Sequence, residues 1–270
     1  MKLQLVPPAR GAAWVRQGFA VFFRQPLAFA AVFAAFLFAL FLLALVPYLG
    51  SLLLLTGLPL ATLAFMVATR LVNQGRSPLP KALTDPFQSG RARLLTLLRL
   101  GVLYAVSTFL VMWLSDLADG GALDALMKSL GDTKTPPEQI MQRVRDPQLQ
   151  FGLLLRFGLA GMLSLPFWHA PALAHWGGLN AAKALFFSLV ACWRNKGAFA
   201  VYALTWTAVI MGFAVLANLL FLAIGQLRLI GVIAMPASLL FSTVFYASLY
   251  FTFADCFMQD DPPTTIQETL

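Results

Sequence analysis

The stretch LAFAAVFAAFLFALFLLALVP, residues 27–47, carries no charge from end to end. An α-helix needs about 20 consecutive apolar residues to cross the hydrocarbon core of a bilayer, and this run meets that length. Beyond Tyr48, Leu49 and Gly50 a second apolar run covers 51–69, with Pro47 and Gly50 marking the turn between them. The pair reads as a tight hairpin of two membrane spans.

Working outward, four more spans are expected, over 94–115, 150–173, 198–224 and 229–254. Composition agrees: the 270 residues are 60% hydrophobic and only 11% charged, where a soluble domain carries about a quarter charged residues. The fold class is therefore all-α, a polytopic membrane bundle of six transmembrane helices arranged as three hairpins, with short interfacial amphipathic helices. The net charge of +8 does not indicate a nucleic-acid partner, because the basic residues lie between apolar runs, as membrane-flanking lysines and arginines do. Cys192 and Cys256 form no CxxC pair and frame neither a disulfide scaffold nor a zinc site.

The loops alternate in character. The N-terminus, the 70–93 loop (Arg70, Arg76, Lys81, Arg91 and Arg93 against Asp85) and the 174–197 loop are basic, whereas the 48–50 turn and the 116–149 segment are not. Arg228, in the last turn, is the one dissenter. Cytoplasmic loops are enriched in Lys and Arg, so both termini are expected in the cytoplasm and 116–149 outside it. That segment has helical spacing at Leu123, Leu126, Met127 and Leu130, and a proline start at PPEQIMQRV. One or two short amphipathic helices are expected there, and the tail 257–270 is polar.

Residues 12–24, AAWVRQGFAVFFR, are too short and polar to span. On a helix Val15, Phe19, Phe22 and Phe23 share one face, and Arg16 and Arg24 another. Such a helix suits the membrane interface. Residues 181–194, AAKALFFSLVACWR, repeat the design at an offset of 170, with Leu185, Leu189 and Trp193 on Val15, Phe19 and Phe23, and Arg194 on Arg24. KAL at 81–83 echoes KAL at 183–185. One integral domain, 1–256, is expected, built of three units (12–72, 79–176 and 180–256), each an interfacial segment followed by two spans. The two stretches MKLQLVPPARGAAWVRQGFAVFFRQPLAF and HAPALAHWGGLNAAKALFFSLVACWRNKGAF resemble the signature regions of a family of uncharacterised betaproteobacterial inner-membrane proteins. The resemblance covers nearly the whole chain. It implies location and topology and brings no catalytic residues.

Polar groups in or beside the spans are the remaining candidates. His169 and His175 flank APALA in span four, next to Pro166 and Pro171. A spacing of six puts them on opposite sides of a regular helix, with no acid or thiol nearby in sequence, so interfacial hydrogen bonding is favoured over a metal site. Asp255 ends span six and is expected to pair with a basic residue of the cytoplasmic loops. Arg156 is expected to snorkel or to pair with an acid such as Asp146. Asn218, deep in span five, suits a bond between helices, and Gly158 and Gly161 suit close helix approach. Ser238, Ser242, Thr243, Ser248 and Thr252 give span six a polar side.

Walker, GxGxxG, HExxH and GxSxG patterns do not occur, and no catalytic residue, metal ligand or cofactor is assigned. Lipid anchoring is expected of Arg16, Arg24, Lys183, Arg194 and Lys196, with anionic membrane lipids as partners and further membrane proteins or a second copy as others. The first functional reading is a non-enzymatic protein that organises, senses or binds other membrane components. The alternative is a carrier or channel for a small or lipidic solute, which a large hydrophilic cavity between spans four and six would favour. A membrane enzyme comes third.

Overall fold

The computed structural model describes residues 2–79, 81–88, 90–132, 135–226 and 230–257. Arg228 and the tail from residue 258 onward lie outside these. Among the described residues the elements are helices: α1 (Arg10–Arg24), α2 (Pro26–Ala44), α3 (Gly50–Asn73), α4 (Lys81–Gln88), α5 (Arg91–Asp119), α6 (Ala122–Gly131), α7 (Pro137–Val144), α8 (Pro147–Trp168), α9 (Ala170–Gly177), α10 (Ala181–Arg194), α11 (Lys196–Ala223) and α12 (Ile230–Phe257). Six are long and apolar enough to cross a membrane: α2, α3, α5, α8 continued by α9, α11 and α12. The architecture is an all-α polytopic bundle, and the 116–149 segment supplies α6 and α7.

Local chemistry sets the breaks. Pro26 opens α2 directly after Gln25, the lone residue separating it from α1, because a proline at the first helical position sacrifices no helical hydrogen bond. The Asp146 carboxylate accepts the Gln148 N–H at the start of α8, and the Asn180 side chain accepts the Lys183 N–H at the start of α10. Gly120, at φ 59°, and Gly121, at φ 85°, end α5 in left-handed backbone that suits glycine.

Packing is unequal along the bundle. The buried core is concentrated at the end carrying α1, α4, α9 and α10, and includes Trp14, Phe29, Phe65, Leu97, Leu173 and Phe253. This is the basic end. At the other end long stretches of α2, α5, α8, α11 and α12 leave their apolar side chains exposed, among them Phe41, Leu110, Phe157, Leu216 and Met235. Those surfaces are the lipid-facing part of a membrane protein.

α1 is wedged between α11 and α12. It buries Gly11, Trp14, Val15, Gly18, Val21 and Phe22, an i, i+3, i+4, i+7 stripe. A Cβ at Gly11 would lie 2.2 Å from the Ala198 carbonyl oxygen, and one at Gly18 would lie 2.7 Å from the Ser248 Cβ. Only glycine admits this approach. The docked face is therefore rotated from the expected one. Val15 and Phe22 belong to it, but Phe19 is half-buried at its edge and Phe23 is 63% exposed, because the two glycines pull the face between them inward. Gly158 and Gly161, expected at helix contacts, would have nothing within 4 Å of an added Cβ; Gly101, against Thr56, and Gly152, against Asp119, take that role.

Candidate functional site at the basic face

At the basic end four polar arrangements tie the helices together. In the first, the Asp255 carboxylate accepts Arg10 Nε at 2.6 Å, Arg10 Nη2 at 2.9 Å and Trp14 Nε1 at 2.7 Å. A bidentate arginine–carboxylate pair of this kind fixes orientation as well as charge. It clamps the start of α1 to the end of α12.

In the second, Asn195, the single residue between α10 and α11, grips the N-terminal segment. Its Oδ1 accepts the Val6 N–H at 2.9 Å, and its Nδ2 donates to the Gln4 carbonyl at 3.0 Å. The Gln4 N–H donates in turn to the Cys256 carbonyl at 2.9 Å. An amide side chain offers a donor and an acceptor side by side, matching two backbone groups two residues apart in the N-terminal segment.

The third lies at the break between α8 and α9. A continuous helix would place the His169 N–H on the Leu165 carbonyl. Instead the Ser188 hydroxyl of α10 stands between them, accepting from His169 N at 2.9 Å and donating to Leu165 O at 2.9 Å. A side chain inserted into the ladder is one recognised cause of a helix kink, and Pro166 and Pro171 on either side reinforce it. The His169 ring is fully buried near Phe199, Phe253 and Phe257, and its two nitrogens have no partner among the described residues. The hydrogen bonding expected of this imidazole is thus carried by the backbone of His169.

In the fourth, His175 Nε2 lies 2.8 Å from Asp85 Oδ2 of α4, while the Arg70 guanidinium sits 5.5 Å over the neighbouring Trp176 ring. Sequence offered His175 no nearby acid; the fold brings one from the preceding basic loop. Among the described residues no group of three or more His, Cys, Asp or Glu is arranged to hold a metal ion. Cys192 is buried on α10 with its thiol pushed up by burial, and its Sγ lies 3.6 Å from the Leu165 carbonyl. It is packing for the kink.

The candidate anchors face outward. Arg16, Arg24, Lys183, Arg194 and Lys196 are all exposed. Arg24 Nη1 lies 3.3 Å from Asn73 Oδ1 at the end of α3, and Lys196 Nζ lies 5.6 Å over the Trp193 ring. The inner faces of α1 and α10 correspond at the offset of 170: Trp14, Gly18, Val21 and Phe22 are buried, and so are Ala184, Ser188, Ala191 and Cys192.

Two candidates lie at the other end, with partners different from those expected. Arg156 binds Asp116 and lies 3.7 Å from Asp119, whereas Asp146 caps α8. Asn218 donates to its own helix, Nδ2 to the Ala214 carbonyl at 2.8 Å, because α11 and α12 diverge at that depth. The polar side of α12 is divided: Ser248 meets the Tyr202 hydroxyl at 2.6 Å and Thr252 accepts Trp168 Nε1 at 3.2 Å, joining helices, whereas Ser238 and Thr243 donate to carbonyls of their own helix. Between α3, α5, α8 and α12 there remains a cavity of about 190 Å³, lined by Pro59, Thr62, Tyr104, Ser164, Trp168 and Tyr246 among others. It is small and largely aromatic.

Six membrane-length helices, a packed basic end and a lipid-exposed remainder define an integral membrane protein. The chain is 38% identical, over 97% of its own length and 96% of the relative's, to a Burkholderia thailandensis protein named "Probable inner membrane protein". It belongs to the same family of bacterial inner-membrane proteins. No family model and no solved structure matches it.

Proposed function

We propose that this inner-membrane protein is a non-enzymatic organiser of its surroundings that holds anionic lipid on its basic face, with that face and both termini in the cytoplasm. The observation that carries the reading is the two-sidedness of α1 and α10. Each docks one face into the packed end of the bundle and turns its arginine, Arg24 or Arg194, outward beside an exposed aromatic residue, Phe23 or Trp193. Arginine stems snorkel along apolar surface while their heads reach phosphates. The small aromatic cavity beside α8 and α12 favours this reading over that of a carrier with a large hydrophilic passage. Three units, each an interfacial helix plus a hairpin, would set such platforms side by side.

Purification in mild detergent followed by mass spectrometry of retained lipids tests the function. Anionic phospholipid should be enriched over its share in the source membrane; retention in bulk proportion contradicts the reading. Orientation has its own test. With Cys192 and Cys256 replaced by alanine, Met127→Cys on exposed α6 should react with an impermeant maleimide from the outer side of the inner membrane. Labelling only after access to the cytoplasm reverses the topology.

A further inference from the structure

α11 and α12 are consecutive, antiparallel spans, yet they do not close on one another. At the basic end α1 stands between them. Past that wedge Phe19, Trp206 and Phe241 fill the gap, with ring centroids 5.7 Å apart for Phe19–Trp206 and 6.4 Å for Phe19–Phe241. Phe213 then meets Phe241 edge-on at 5.2 Å. Beyond this aromatic floor the two helices leave a cleft of about 360 Å³, within the roughly 300–1,000 Å³ of small-molecule sites.

The walls are narrow and mainly apolar, with Ser238, whose hydroxyl is spent on the Met235 carbonyl, and Ser242 on the α12 side. Ala214 and Ala217 line one side, Ala234 and Ala237 the other. Asn218 lies one turn and a half from the end of α11, near the membrane face opposite the basic one, and from it the lining of the cleft runs eight residues deeper to Ile210, about 12 Å at 1.5 Å per residue. Half the hydrocarbon core is about 15 Å, so the cleft below Asn218 covers most of one leaflet. The Asn218 amide spends one N–H on the Ala214 carbonyl, which leaves its Oδ1 and second N–H for a ligand.

We propose that this cleft is a binding site for one acyl chain of a phospholipid in the leaflet opposite the basic face, with Asn218 at the level of the ester linkage. The amide at the mouth and the mainly apolar walls below it match such a lipid: ester carbonyls accept hydrogen bonds, and methylenes do not. The depth takes most of a chain that ends at the bilayer midplane, and the open side gives entry from the surrounding lipid. The site is distinct from the basic-face anchors and does not depend on them.

The experiment uses the full chain in vesicles of phosphatidylethanolamine and phosphatidylglycerol, containing a trace of phosphatidylcholine with a diazirine near the end of one acyl chain. After irradiation, peptides carrying Ile210–Asn218 and Ile230–Ser242 should be labelled several-fold above those from the exposed outer surface of α5. Filling the cleft with Ala214→Phe and Ala237→Phe should remove that excess while labelling elsewhere persists. Asn218→Leu, which leaves the cleft open, should still be labelled but should lose labelling several-fold faster when unlabelled competitor lipid is added before irradiation. Labelling no higher than on α5, or unchanged on filling, shows passing lipid only and overturns the site. If instead a Leu216→Cys variant lacking Cys192 and Cys256 oxidises to a disulfide-linked dimer through exposed α11 and the cleft yields no lipid adducts, a second copy fills it and the site is overturned.

Discussion

α1 and α10 occupy corresponding places, begin from similar sequence and bury corresponding positions, yet they are held by different means. α1 docks by volume: Trp14 is fully buried, with its indole N–H on Asp255, while Gly11 and Gly18 let α11 and α12 come within backbone distance. α10 docks by small residues, Ala184, Ser188, Ala191 and Cys192, and its decisive contact is a hydroxyl spliced into the ladder of a neighbouring span. Helical phase fixes which positions face inward. The side chains at those positions decide whether the helix is a wedge or a brace.

Tryptophan should separate the two helices most sharply. Trp14→Ala removes a fully buried side chain and orphans part of the Asp255 site, so a loss of about 3–5 kcal/mol is expected. Trp193→Ala acts on a residue 67% exposed and should stay within about 0.5 kcal/mol. Equilibrium unfolding in mixed detergent micelles measures both; equal losses would erase the distinction between wedge and brace.

Exchanging the aligned small residues gives a smaller effect. Ser188→Ala leaves the His169 N–H and the Leu165 carbonyl without their bridge, at a cost of about 1–3 kcal/mol. Gly18→Ser forces a Cβ against Ser248 and should cost about 1–3 kcal/mol by overpacking. The two losses have different signatures. Ser188→Ala should speed amide exchange around the α8–α9 break, whereas Gly18→Ser should loosen α1 against α12. If both variants disturb the same segment, the contacts at α1 and α10 are not independent.

The spans were legible from apolar run length. The run at 27–47 is α2 at Pro26–Ala44, and 229–254 is α12 at Ile230–Phe257. Burial phase was only partly so: the face of α1 was expected to follow its bulky aromatics, and Phe23 left it because glycine, invisible to a hydrophobicity count, set the contact. Partners across the fold were not legible. Asp255 was assigned a basic partner from the cytoplasmic loops, but the partner is Arg10 of α1, brought to it by the α1–α12 crossing. Arg156 was offered Asp146 by sequence proximity, while Asp116 and Asp119 come to it across the α5–α8 contact. Ser188 carried no signal apart from the two prolines, Pro166 and Pro171, which announce a broken ladder in need of a partner.

What α1 and α10 share, despite different anchoring, is the outward arginine, and the proposed function rests on it. A basic residue near an anionic membrane surface gains about 1 kcal/mol, so Arg24→Gln or Arg194→Gln alone should be mild. The double variant should lose retained phosphatidylglycerol in native mass spectrometry and should lose the stabilisation that this lipid gives the wild type in thermal melts, while melting unchanged in neutral lipid. A double variant that retains and responds to phosphatidylglycerol as the wild type does would contradict the anchoring account.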